Sequence, residues 1–202
     1  MPAMASTLYG NLGTGSTVYN CCSGWTISGT GSIGTSFIAA NEFSPTSSGS
    51  VGEIDVGVGY VEGTNSFYVA LYTNNSGIPG SKLGEWDNLS SSTNFGSCCG
   101  LVDITGISGV SLTAGTNYWM VIGPTSTTAT TWEAWNFSNS ATGNDDYSTN
   151  GGQSWVQQGS QSQGAFQILS GTGGTTPEPT SLLLFGTGVL GVIGAFRRKM
   201  KL

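Results

Sequence analysis

Residues 52–61 read Gly-Glu-Ile-Asp-Val-Gly-Val-Gly-Tyr-Val, and this stretch decides the fold class. Ile54, Val56, Val58 and Tyr60 alternate with Glu53, Asp55 and glycine, the period of two that marks a half-buried strand. Glu62-Gly63-Thr64-Asn65 reads as a turn, and Ser66–Thr73 (SFYVALYT) alternates again through Phe67, Val69 and Leu71. The two runs predict a β-hairpin, with Glu53 and Asp55 on its solvent face. Asn74–Gly80 (NNSGIPG) is dense in turn residues. Further strands are expected at 82–86, 110–113, 118–122, 130–137 and 165–169. Short strands at this spacing, without helical periodicity, predict an all-β domain, an antiparallel β-sandwich or jelly roll over residues 6–169.

Composition narrows the function classes. Only 8% of the 202 residues are charged, against about 25% in an ordinary globular domain, and Ser, Thr, Asn and Gly supply the polarity instead. The apolar fraction of 37% is enough for a core. Four of the five basic residues, Arg197, Arg198, Lys199 and Lys201, close the chain, so Lys82 alone stands against eleven acids in the rest. Such a body repels phosphate and excludes nucleic acid as a partner. The chain has no histidine, which removes the usual general base and the Ser-His and Cys-His nucleophile systems.

Three side-chain groupings invite a site. Glu53 and Asp55 lie two apart on one strand, about 7 Å from each other, a carboxylate pair of the kind glycosidases use. Two acids on the solvent face of an amphipathic strand are also ordinary, and no nucleophile motif accompanies them. Asn144-Asp145-Asp146, with Asp103 or Glu133, could offer calcium oxygen ligands, although the run lacks EF-hand spacing and suits a solvated turn. Trp132 and Trp135 flank Glu133 and should point to opposite faces, one into the core and the other available to stack on a sugar. The expectation is a protein without catalytic residues, resident cofactor or metal, a carbohydrate-binding module being the main alternative and a glycoside hydrolase a weaker one.

The four cysteines form two adjacent pairs, Cys21-Cys22 and Cys98-Cys99. They lack C-x-x-C spacing and a histidine partner, so disulfides are expected rather than zinc. A bridge between neighbours conflicts with normal disulfide geometry, which favours pairing across the two doublets. Which cysteine meets which stays open.

The C-terminus changes character. Residues 170–176 (SGTGGTT) form a flexible linker, followed by Pro177-Glu178-Pro179, an uncharged run over 181–196 (SLLLFGTGVLGVIGAF) and the basic end 197–202. Sixteen residues at 1.5 Å each give roughly 24 Å, a short transmembrane helix whose flanking cations can snorkel. The basic end would stay cytoplasmic and the preceding body outside. Gly186-x-Gly188-x-x-Gly191 fits a dinucleotide fingerprint, but it sits inside this apolar run rather than in a βαβ unit and suits helix packing instead. At the other end, residues 1–5 lack a basic or apolar signal region. Ala3-x-Ala5 is similar to a signal-peptidase site, so they read as a signal-peptide remnant with the true start upstream.

Pro177-Glu178-Pro179, a short hydrophobic helix and a basic terminus, in this order, resemble the PEP-CTERM sorting domain. The resemblance implies an exported bacterial protein of a Gram-negative-type envelope. It implies an exosortase as processing partner, cleavage near Pro177 to Pro179, passage through membrane lipid, and a final place at the cell surface or in an exopolysaccharide or biofilm matrix. The motifs Val69-Ala70-Leu71-Tyr72, Gly77-Ile78-Pro79-Gly80-x-x-Leu83 and Leu112-x-Ala114-Gly115-x-x-Tyr118-Trp119 resemble the choice-of-anchor class of bacterial extracellular domains, type R in particular. That resemblance implies a sandwich body and no defined activity.

Overall fold

The computed structural model describes residues 5–171, which form one body, Ala5–Gly171. Its strands are β1 (Thr7–Gly10), β2 (Asn20–Ser28), β3 (Ile38–Phe43), β4 (Gly49–Val56), β5 (Val58–Glu62), β6 (Phe67–Asn75), β7 (Ile78–Leu89), β8 (Val102–Thr105), β9 (Ser111–Leu112), β10 (Tyr118–Pro124), β11 (Trp132–Ser148), β12 (Val156–Gly164) and β13 (Phe166–Ser170). The smaller sheet runs β1-β13-β4-β8, with β9 also on β4. The larger runs β12-β11-β3-β10-β6-β7, with β2 and β5 both paired to β11. Every pairing between these strands is antiparallel.

The two sheets share one core. Leu8, Ile54, Val56, Ile104 and Ile168 from the smaller sheet meet Ile27, Phe43, Phe67, Leu71, Met120, Ile122 and Trp135 from the larger. This makes a two-sheet sandwich, as the alternation in the sequence predicts. The Trp135 indole lies directly over Gly164, where an added Cβ would sit 2.1 Å from its ring. Trp135 Nε1 donates to the Ala165 carbonyl at 3.2 Å, so the largest core side chain leaves no polar atom stranded.

The deciding stretch is two strands, not one. The chain leaves the smaller sheet at Val56 and enters the larger at Val58. At the corner, Gly57 N–H donates to the Ala165 carbonyl at 3.0 Å, and its own carbonyl accepts from Asn136 N–H at 2.8 Å. A Cβ at Gly57 would meet the Tyr19 ring at 2.8 Å, so only glycine allows the switch. The expected hairpin with residues 66–73 therefore does not form. β5 pairs with β11, while β6 pairs with β7 and β10. Asn65 is tied to Ser91 instead, donating to its carbonyl and accepting its N–H at 2.8 and 2.7 Å. The real hairpin joins β6 to β7 through Ser76 and Gly77, both at positive φ (55° and 88°), the geometry that suits strand twist.

β10 explains the uninterrupted apolar run Tyr118-Trp119-Met120-Val121-Ile122. Tyr118, Met120 and Ile122 face the inter-sheet core, while Trp119 and Val121 join Ile38, Ala40 and Ala70 in a second apolar cluster on the outer face. Trp155, Tyr68 and Tyr72 pack on that cluster. Among the described residues no helix is long and apolar enough to cross a membrane. The expected span 181–196, the linker beyond Gly171 and residues 1–4 lie outside the described residues.

Candidate functional site

Outward-facing side chains of β3, β6, β7 and β10 follow from strand register. Tyr68 is opposite Gly123, Ala70 opposite Val121 and Tyr72 opposite Trp119, while Lys82 pairs with Tyr72 and Glu85 with Ala70. Gly123 has no side chain, and a Cβ there would come within 2.7 Å of the Tyr68 ring, so the phenol lies down on the strand. A cleft of about 230 Å³ opens here. Its lining includes Tyr68, Tyr72, Lys82, Glu85, Asp87, Thr125, Ser126 and Thr127. Lys82 Nζ and Glu85 Oε2, three residues apart on β7, lie 2.5 Å from each other. Burial first, then the neighbouring Tyr72, Glu85 and Asp87, pushes the Tyr68 phenol well above its ordinary range. Tyr72 is raised by burial and by Glu85, with Lys82 opposing.

A second groove, about 440 Å³, lies among Trp25, Ile33, Phe37, Ala39 and Tyr147. Trp25 Nε1 is already committed to the Ser162 carbonyl at 3.0 Å, and its ring meets Phe137 edge-on at 5.2 Å.

The acids read from the sequence are placed differently from expectation. Glu53 and Asp55 do share a face of β4, and Asp103 stands directly opposite Asp55. Yet Asp55 is buried rather than solvated, with Gln167 Nε2 donating to Oδ2 and Oδ1 unpartnered. Burial raises its pKa to about 6 against the Gln167 hydrogen bond, with smaller upward pushes from Glu53 and Asp103. Asn144-Asp145-Asp146 is not a turn but the second half of β11, and both aspartates are buried. Asp145 accepts from Asn41 Nδ2 and faces the position opposite it on β3, whereas Asp146 is opposite Ala40, so successive carboxylates leave the strand on opposite sides. Burial raises them to about 8 and about 7. Glu133 is fully buried beside Ile27 and Trp135 with neither oxygen hydrogen-bonded, and burial alone lifts it to about 8. The oxygens proposed for calcium thus do not converge. Among the described residues the one grouping of three ligand atoms within 4.8 Å is Cys21, Cys98 and Cys99.

Trp135 fills the core and offers no ring face to a sugar, while Trp132 is half-buried on β11. The tyrosine cleft was not singled out in the sequence. Its signal was Tyr68-x-x-x-Tyr72, two aromatics an even number of residues apart on one strand face.

Cys21 and Cys98 form a disulfide across the two doublets, with Cα atoms 5.5 Å apart. The bridge ties β2 to the loop before β8. Cys99 Sγ lies 3.8 Å from Cys21 Sγ, and Cys22 is exposed outside the bridge.

Residues 175–199 match the PEP-CTERM protein-sorting motif. The match includes Pro177, Glu178 and Pro179, the apolar run 181–196, and Arg197, Arg198 and Lys199. Lys201 falls just beyond it, and all of these residues lie outside the described part of the structure. The motif implies export, C-terminal anchoring before processing, and an exosortase as the processing enzyme. No curated protein and no solved structure matches the chain.

Proposed function

We propose that this chain is a non-enzymatic surface or extracellular-matrix protein. Its C-terminal tail delivers a rigid, disulfide-bridged β-sandwich to the outside of the cell, and an exosortase then removes the tail. The observation that carries this reading is the sorting motif at 175–199 behind a body built for an oxidising compartment. The body's buried acids support a structural role. Glu133, Asp145 and Asp146 sit in strands and point into packed surroundings instead of converging on a cleft. The strongly polar but weakly charged surface suits an interaction module.

The test is to replace Pro177, Glu178 and Pro179 together by alanine in a host that carries the sorting enzyme. The unsubstituted chain should reach the surface or medium with its tail removed, and the triple variant should accumulate unprocessed in membranes. Equal processing of both would overturn the assignment.

A further inference from the structure

We propose that the cleft over β6, β7 and β10 is a binding subsite for one neutral pyranose ring of a glycan. Its floor is aromatic: Tyr68 lies on Gly123, and Tyr72 follows two side chains later on the same face. Half-buried phenols held in this way present ring surface that an aliphatic C–H face of a sugar can cover. Its lining carries both donors and acceptors, Lys82, Glu85 and Asp87 from β7 together with Thr125, Ser126 and Thr127. Neither the Tyr68 nor the Tyr72 hydroxyl has a hydrogen-bond partner among the described residues. Convergent unspent hydroxyls beside carboxylates fit a ligand bearing several hydroxyl groups.

Size and charge restrict that ligand. At about 230 Å³ the cleft falls below the roughly 300 Å³ at which pockets begin to hold drug-sized molecules, so it takes one ring while the rest of a chain runs into solvent. Two carboxylates against one ammonium leave the wall net negative, and the body as a whole is acidic. Uronates, sulfated sugars and phosphates are therefore disfavoured. A lipid or other apolar ligand would strand the charged wall without partners. The proposal concerns this cleft alone, so its failure would leave the sorting reading standing, and failure of tail processing would leave the cleft unaffected.

Saturation-transfer NMR on the full chain in detergent micelles tests it, with methyl glucoside, methyl mannoside and methyl galactoside as neutral probes and methyl glucuronide as the anionic control. Transfer to ring protons of at least one neutral glycoside, with much weaker transfer to the glucuronide, is expected. Tyr72→Ala should weaken that signal by about tenfold through loss of the stacked face. Because Tyr72 also packs on the outer cluster, Asp87→Ala supplies an exposed variant that keeps the fold and should weaken binding in the same direction. No transfer from any neutral glycoside, equal transfer to the glucuronide, or unchanged transfer in a folded Asp87→Ala chain would overturn the proposal.

Discussion

Glu133→Gln changes one polar atom in the middle of the sandwich and removes a titration. In the folded chain the carboxyl is fully buried, neither oxygen has a hydrogen-bond partner, and burial raises its pKa from 4.5 to about 8. Between those values the unfolded chain has released the proton while the folded chain still holds it. Stability from this group is therefore complete below pH 4.5 and falls as pH rises toward about 8. At pH 7 the interval is about 2.5 pH units at about 1.4 kcal/mol each, so roughly 3 kcal/mol of stability is missing. Glutamine cannot ionise and escapes this loss. The difference in packing and buried hydrogen-bonding capacity between a neutral carboxyl and an amide is common to all pH values, so a double difference isolates the titration. Urea unfolding of both chains at about pH 4 and pH 7 should show the substitution more favourable at the higher pH by about 3 kcal/mol. The same effect at both pH values would refute the placement of Glu133 in a dry, unpartnered site.

Cys21→Ser removes the thiol that both Cys98 and Cys99 face and opens a loop of sequence separation 77, whose cost chain entropy sets at about 4 kcal/mol. Thermal melts should show the variant unaffected by a reductant that lowers the melting temperature of the parent chain. Gly164→Ala drives a Cβ into the Trp135 indole and should destabilise by about 3 kcal/mol, with a changed near-ultraviolet tryptophan dichroism; an unaltered spectrum and stability would contradict the packing. Trp135→Ala should cost about 4 kcal/mol in chemical unfolding and the half-buried Trp132→Ala clearly less, whereas equal costs would remove the distinction drawn between core and surface tryptophan.

Strand alternation through Phe67, Val69 and Leu71, and the short apolar run Tyr118–Ile122, made the sandwich and much of its core legible in the sequence. Its failures have local causes. Gly57 reads as one more small residue in an alternating run, and nothing nearby in sequence reveals that Tyr19 and Ala165 make it a corner between sheets. β12 (VQQGSQSQG) has almost no apolar content because it is an exposed edge strand held by backbone pairing to β11, so hydrophobic periodicity cannot find it. Asn144-Asp145-Asp146 carries turn chemistry but is captured into β11 by pairing with β3 and β12, a long-range decision that overrides local propensity. The cross-doublet disulfide was legible because adjacent cysteines pair poorly with each other, although the choice of Cys21 with Cys98 needed the structure. The tyrosine cleft was hidden for a similar reason, since Gly123 lies 55 residues beyond the phenol it accommodates.

On the function proposed above, the tail is a removable address for a body that works outside the cell. Intact mass and C-terminal peptide mapping of protein recovered from its native envelope or medium tests this most directly. A mature chain ending near Pro177 to Pro179, without the 181–196 run and with the Cys21–Cys98 bridge closed, is expected. A chain that retains Leu202 in the membrane, with Cys21 and Cys98 reduced, would contradict it.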